Sequence, residues 1–302
     1  MRLRLATRGS ALARWQAEWT ARRLGQFGHE AELVIVSTRG DRFQGPIDAS
    51  TPQGLFTREV QAAVLAGEAD AAIHSLKDLP TQPAEGLVLA AVPPRAASAD
   101  AFVSRRFTSI DALPPGAIVG TGSVRRRAQL LAYRPDLVVA DLRGNVDTRL
   151  RKLDEGRYDA IILAAAGLER LGLSDRIVQR LPAEIMLPAP GQGALGIEAR
   201  ADDQSVLTVL AALDDFATRA ATTAERTMLA AIGGGCLAPV AALGETDGVE
   251  LRLVARVLSA DGARAICAEV TGSLADAEQL GRQAAEELAA GGAGELIAQC
   301  RR

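Results

Sequence analysis

Short apolar runs alternate with stretches of helical periodicity along the first third of the chain: LRLAT, then Ser10 to Phe27, LVIVS, Gly54 to Ala66, AAIHSL and LVLAAV. That alternation is the rhythm of strand–helix–strand units, which build a mostly parallel sheet. Ser10 is a good helix N-cap. The helix it starts places Leu12, Trp15 and Trp19 on one face, where the two tryptophans read as core. After FVSRRF the rhythm resumes with AIVGT, a helix from Ser123 to about Tyr133, LVVADL, a helix from about Val146 to Leu153, AIILAA and a short helix to Leu171. The Pro/Gly-rich run from Pro182 to Gly193 reads as a hinge or crossing segment. A strand ALGIEA, helices from about Val206 and Thr218, two strands ELRLVARVL and AICAEVTG, and two closing helices complete the pattern. The tail beyond Gly233 to Gly235 thus reads as a small α+β domain.

Three of the predicted strand-to-helix junctions repeat one arrangement. LATRGSALARWQA, IVGTGSVRRRAQL and DLRGNVDTRLRKL each run from a strand through a polar turn into a helix with arginine close by, and Asn145 caps the third. A helix N-terminus already carries about half a positive charge and free N–H groups, so cations there are unfavourable unless an anion sits among them. Open α/β sheets bind ligands at the carboxyl ends of their strands. The pattern therefore predicts a two-lobed clamp for a ligand with several negative charges. Arg127, the next helix step after Arg125 and Arg126, points elsewhere and reads as a surface residue.

Composition narrows the partners. The 302 residues are 48% hydrophobic and 24% charged, an ordinary globular balance with room for two or three domains. No apolar run is long enough to span a bilayer, and MRLRLATRGSALARW lacks a signal-peptide core, so a cytoplasmic location without a membrane partner is expected. A net charge of −3 and an aromatic content of only 3% argue against nucleic acid. Yet arginines crowd between Arg95 and Arg180, and of 34 basic residues only Lys77 and Lys152 are lysines. The planar guanidinium fork suits carboxylates better than an ammonium does. Neither GxxxxGK[ST] nor GxGxxG is present, so a nucleotide is not the leading ligand. His29 and His74 stand far apart, which disfavours a zinc site or a histidine-based triad, and no metal is expected. Three cysteines without C-x-x-C spacing fit a reducing compartment. No sustained heptad suggests more than a monomer.

Two stretches carry chemistry. AAIHSLKDLP ends a strand with His74, Ser75, Lys77 and Asp78 before Pro80 stops any helix. A carboxylate at a strand's carboxyl end can hold N–H donors and stabilise a developing cation, which an arginine cannot. The competing reading of Asp78 is an ion-paired or turn-capping aspartate, Lys77 is a second anion contact or a solvated neighbour, and His74 reads as a core histidine. In AAIGGGCLAPVA, Cys236 follows three glycines, whose bare backbone would leave the thiol on an unobstructed loop. Covalent attachment is the functional reading there and buried filler the competing one; Cys267 and Cys300 read as filler.

ATRGS, HSLKDLP, GTGSVRRRAQL, LRGNVDTRL, PGQGALGIEAR and GGGC, in this order, resemble the porphobilinogen deaminase (hydroxymethylbilane synthase) family over nearly the whole chain. The resemblance implies an α/β fold of two periplasmic-binding-protein-like lobes with mixed, mostly parallel sheets, plus a small C-terminal α+β domain. Its implied boundaries are 1–95 with 191–214, 96–190, and 215–302. It implies that Cys236 carries a dipyrromethane cofactor through a thioether, on which four porphobilinogen units are joined head to tail with loss of ammonia before water releases the tetrapyrrole. Asp78 is then the catalytic residue. Ser75, Lys77, Asp78, Ser123, Arg125, Arg126, Arg149 and Gln192 contact the cofactor, and Arg8, Ser10, Phe56, Arg143, Arg149 and Arg170 the substrate. The sequence departs from the family pattern at DASTPQGLF, which has Gln53 and no lysine, so that the loop's cation is Arg42, Arg58 or absent; Leu237 stands where a polar residue is common. The alternative is a non-catalytic two-lobed binding protein for an acidic metabolite, which needs neither Asp78 nor Cys236; the lack of an export signal counts against it.

Overall fold

The computed structural model describes residues 1–38, 54, 56–234 and 238–300. The chain divides into two compact units. The first runs to Ala96 and resumes over Gly193–Arg219; the second holds Ala97–Gln192 and the chain from Ala220.

In the first unit, β1 (Arg2–Arg8) lies parallel to both β2 (Glu30–Val36) and β3 (Ala71–Ser75). The returning strand β10 (Leu195–Arg200) runs antiparallel between β3 and β4 (Leu87–Ala91), giving the order β2-β1-β3-β10-β4. Four strands therefore point one way and one the other. Side chains alternate along a strand, so Leu3 and Leu5 pack on one face with Ala17 and Leu24 of α1 (Ala11–Gln26) and with Val206 and Leu210 of α6 (Gln204–Ala211). Ala6 and Ala72 face the other way, onto Val60 and Val64 of α2 (Arg58–Leu65).

Helix α1 turns a different face to the sheet from the one its tryptophans predict. Ala13, Gln16, Ala17, Thr20 and Leu24 are buried, whereas Leu12, Trp15 and Trp19 are only half-buried at the flank. Small residues let the helix lie close on the strands, a contact that large rings would hold apart.

The second unit repeats the layout. β6 (Ile118–Gly120) lies parallel to β7 (Val138–Ala140) and β8 (Ala160–Ala164), while β5 (Asp100–Ser104) runs antiparallel between β8 and the two-residue β9 (Gln179–Arg180). The order is β7-β6-β8-β5-β9. Helices α3 (Val124–Tyr133), α4 (Val146–Asp154) and α5 (Ala165–Arg170) follow β6, β7 and β8. Phe102, Val119, Leu130 and Ile162 fill one side of the sheet, and Val103, Leu150, Ile161 and Leu168 the other. Strands β5 and β9 are absent from the pattern predicted above. Because β5 is reversed, its first residue, Asp100, pairs with Ala164, the last of β8. An acid thereby reaches the edge from which α3, α4 and α5 start.

From Ala220 onward the same unit adds a three-stranded antiparallel meander, β11 (Val240–Thr246), β12 (Glu250–Leu258) and β13 (Ala265–Ser273). Its core joins Ala224 and Met228 of α7 (Phe216–Ala231) to Leu253 and Val257, to Leu280 and Leu288 of α8 (Ala277–Ala290), and to Leu296 of α9 (Ala293–Gln299). There are three strands where the pattern predicts two: VAALGET is rich in alanine and glycine, which are weak strand signals.

The turn between β12 and β13 rests on α3. A Cβ on Gly262, whose φ is +74°, would come within 2.4 Å of the Ala128 carbonyl oxygen and 2.6 Å of the Ala132 nitrogen, both helix backbone. Arg256 of β12 donates from Nη1 to Gln129 Oε1 at 3.2 Å. Gly262→Ala combines left-handed strain of about 1–2 kcal/mol with overpacking of about 1–3 kcal/mol. It is expected to lower the unfolding midpoint by several degrees, checked by a thermal melt, with Gly248→Ala as the control because it has positive φ (+98°) but open space around its Cβ.

Candidate active site

Parallel strands release the chain at one edge of the sheet, and in the first unit that edge gathers the predicted residues. Arg8 ends β1, and Ser10 caps α1 by accepting a hydrogen bond from the Ala13 nitrogen at 3.3 Å. Ser75 ends β3, and a tight turn, Leu76–Asp78, follows it. Buried Leu76 anchors this turn beside Leu79, Val92 and Ala194, and its nitrogen donates to the Ala194 carbonyl at 3.0 Å. Asp78 is thus held on a fixed turn with its side chain exposed.

A pocket at this edge is lined by Arg8, Ser10, Gln16, Phe56, Ser75 and Asp78, among others. The Arg8 guanidinium lies over the Phe56 ring at 4.4 Å, a cation–π contact worth about 0.5–1 kcal/mol at an exposed site. Gln16 donates from Nε2 to Ser75 Oγ at 2.8 Å. Lys77 is half-buried next to Asp78. Below them His74 is a core residue: its Nε2 lies 3.1 Å from Glu198 Oε2, outside hydrogen-bonding alignment. Gln61 Nε2 donates to both Glu198 oxygens, at 3.1 and 2.9 Å. Gln16 has no place in the sequence reading; its only signal there is a polar side chain between the small residues Ala13 and Ala17.

The second unit offers cations at the matching edge of its sheet. Ser123 caps α3, accepting from the Arg126 nitrogen at 3.4 Å, and Asn145 caps α4, accepting from Thr148 at 3.0 Å. Arg143 Nε donates to Asp141 Oδ2 at 3.0 Å, and Arg149 Nε to the Gly144 carbonyl at 2.7 Å. Both arginines are half-buried. Gly144 has a φ of +112°, and a Cβ there would meet Thr148 Cγ2 at 2.6 Å, so the turn into α4 requires glycine. Arg170 is half-buried, and its burial pulls the guanidinium down to about 10, against a smaller opposing pull from Glu169. Arg127 is exposed, as its helix step predicts.

Arg125 and Arg126 fold inward at the start of α3. They are 4% and 5% exposed and close on Asp100, which is fully buried. Arg125 Nη2 donates to Asp100 Oδ2 at 2.8 Å, and Arg126 donates to Oδ1 from Nε at 3.0 Å and from Nη2 at 2.7 Å. Gln192, also fully buried, donates from Nε2 to the same Oδ1 at 2.8 Å. Burial by itself would raise the Asp100 carboxyl, but the two adjoining guanidinium charges and their hydrogen bonds outweigh it and hold the group well below the usual carboxylate range. The physical reason is the reversed strand, which brings a carboxylate to the start of α3. Cys236, with Gln53, Arg42 and Leu237, lies outside the described residues, whereas Arg58 is exposed at the start of α2.

Residues 3–208 match the family model described as porphobilinogen deaminase, dipyromethane cofactor binding domain, and residues 220–290 match porphobilinogen deaminase, C-terminal domain. The chain is similar to the porphobilinogen deaminase of Stenotrophomonas maltophilia strain R551-3, at 51% identity over 298 residues and 98% of each chain. It is equally similar to that of Xanthomonas axonopodis pv. citri strain 306, at 51% over 300 residues, covering 98% of this chain and 99% of the relative. Among solved structures, the methionine-binding protein MetQ aligns with a TM-score of 0.47 and 13% identity, over 70% of this chain and 89% of that one.

Proposed function

The chain belongs to the porphobilinogen deaminase family and is a hydroxymethylbilane-forming transferase, and from that premise we propose that Asp78 is its catalytic group, working beside Arg8, Ser10 and Ser75. The observation that carries this is the exposed Asp78 carboxylate on a turn anchored by buried Leu76, sharing one pocket with the Arg8 guanidinium, which lies over Phe56. Loss of ammonia from the aminomethyl group of porphobilinogen leaves positive charge spread into the pyrrole ring. A fixed carboxylate accepts the ring N–H and stabilises that charge as it develops. Arg8, with the Ser10 and Ser75 hydroxyls, takes the acetate and propionate side chains, so the ring arrives oriented.

The donor set fits a dipyrromethane: a carboxylate suits pyrrole N–H groups, and guanidinium and hydroxyl groups suit its acid side chains. When bound, that cofactor supplies the pyrrole carbon nucleophile to which the first substrate unit is joined. We assign Cys236 as its thioether attachment, with Ser75, Lys77, Asp78, Ser123, Arg125, Arg126, Arg149 and Gln192 as its contacts. Arg8, Ser10, Phe56, Arg143, Arg149 and Arg170 are assigned to substrate. A non-catalytic receptor draws no support, because relatives matching 98% of the chain are named deaminases. We also place the protein in the cytoplasm as a monomer without nucleic-acid or membrane partners. Cys267 and Cys300 are free, and no helix among the described residues is long and apolar enough to cross a membrane.

An intact mass of the purified protein tests the covalent assignment. The expected mass exceeds that of the bare chain by one dipyrromethane, with a colour reaction to an aldehyde reagent for pyrroles. A bare-chain mass without colour would remove Cys236 from this role.

A further inference from the structure

The site described above leaves one feature of the second unit unexplained: two arginines folded inward onto a single carboxylate. We propose that Asp100 is a positioning residue that holds Arg125 and Arg126 as a pre-oriented pair for one ligand carboxylate. The proposal rests on the assignment of those arginines to cofactor binding and adds the residue that makes them fit for it.

Asp100 opens β5, the one reversed strand of its sheet, and so reaches the edge where α3 begins. Each guanidinium is fixed from two directions, by Asp100 and by a main-chain carbonyl: Arg125 Nη1 donates to Leu187 at 2.6 Å and Arg126 Nη1 to Ile162 at 3.1 Å. Gln192, itself tied to the Ser98 carbonyl at 2.7 Å, adds a further donor to Asp100 Oδ1 and fixes the carboxylate in turn. A long side chain held in this way loses its rotamer freedom when the protein folds and not when the ligand arrives.

Two guanidiniums against one carboxylate leave a single positive charge in excess, and among the described residues no other carboxylate makes an ion pair with either arginine. Glu225, the other fully buried acid among the described residues of this unit, accepts from the Gly191 and Gly244 nitrogens at 2.6 and 2.8 Å. Burying an unbalanced triad is a poor way to stabilise a fold, since desolvation offsets most of the attraction. A ligand carboxylate would complete the balance, and residues 122–124, at the start of the arginine helix, are half-buried rather than sealed.

Asp100→Asn and Asp100→Glu, made in the full chain, test the proposal by circular dichroism, intact mass and steady-state kinetics. Folded Asp100→Asn protein is expected to carry cofactor mass on fewer than half as many molecules as wild type. Its loaded fraction should show a KM for porphobilinogen raised about tenfold with kcat changed far less, and Asp100→Glu should fall between. A folded Asp100→Asn protein loaded as fully as wild type and with wild-type KM overturns the proposal, whatever its melting temperature. Should Asp100→Asn fail to fold, Asp100→Glu decides: reduced loading or raised KM supports the role, and wild-type values for both overturn it. A wild-type protein without added mass would instead remove the cofactor reading on which the proposal rests.

Discussion

Asp78→Ala is expected to leave less than a tenth of wild-type turnover while the fold stands. The side chain is exposed at the end of a turn whose anchor is Leu76, so its removal changes no packing, and a surface truncation of this kind usually shifts stability by no more than about 0.5 kcal/mol. The catalytic loss is far larger, because a preorganised charge facing a developing cation supplies roughly 3–4 kcal/mol, a factor of about a hundred or more. Asp78→Asn separates two contributions: it keeps an oxygen that accepts the pyrrole N–H but removes the negative charge. If charge stabilisation dominates, Asn and Ala lose comparable activity. Ammonia release in a single turnover, compared with a thermal melt of the same samples, reads both quantities. Retention of more than about a tenth of the rate in Asp78→Ala would contradict the assignment.

Some of this architecture is legible in the sequence because its physics is local. Ser10 and Asn145 are read as caps and each accepts the hydrogen bond that a cap makes, as does Ser123, read as the start of its helix. The central strands β3 and β8 are short apolar runs buried on both faces, and such runs need no partner to be recognised. What escapes the sequence depends on pairing between distant segments. DAFVS does not announce that it runs backwards between β8 and β9, and without that reversal nothing in the sequence puts Asp100 beside Arg125 and Arg126. Trp15 and Trp19 mislead for a different reason: hydrophobicity marks them as core, but closeness of approach to the sheet selects Ala13, Gln16 and Ala17 instead. Asp78 is legible by its place after a strand, and Gln16, on that same buried face, is not.

Replacing Arg143 or Arg149 with leucine is expected to stall elongation at short enzyme-bound products, seen as a ladder in the intact mass, and to slow hydroxymethylbilane release about tenfold. Every porphobilinogen added brings an acetate and a propionate, so negative charge accumulates as the product lengthens and the demand for cations rises with each step. Arg143 meets that demand at little cost. Among the described residues its one ion pair is with Asp141, whose side chain is 60% exposed, and such surface pairs contribute only about 0–1 kcal/mol. Exchanging that partner for a ligand carboxylate in a fixed site gains about 1.5–3 kcal/mol, enough to favour the longer product at each addition. Arg149 is anchored through Nε to the Gly144 carbonyl on a turn that only glycine permits, which sets where its guanidinium stands before any ligand binds. Losing either grip removes about 1.4 kcal/mol or more from the later additions, a factor of about ten, while the first addition, which carries the fewest carboxylates, proceeds. Lysine at either position keeps the charge but gives up the planar fork, so an intermediate ladder follows from the same argument. A ladder indistinguishable from wild type in both leucine variants would mean that the growing chain is held by other cations, with Arg170, whose burial already weakens its hold on a proton, the next to test.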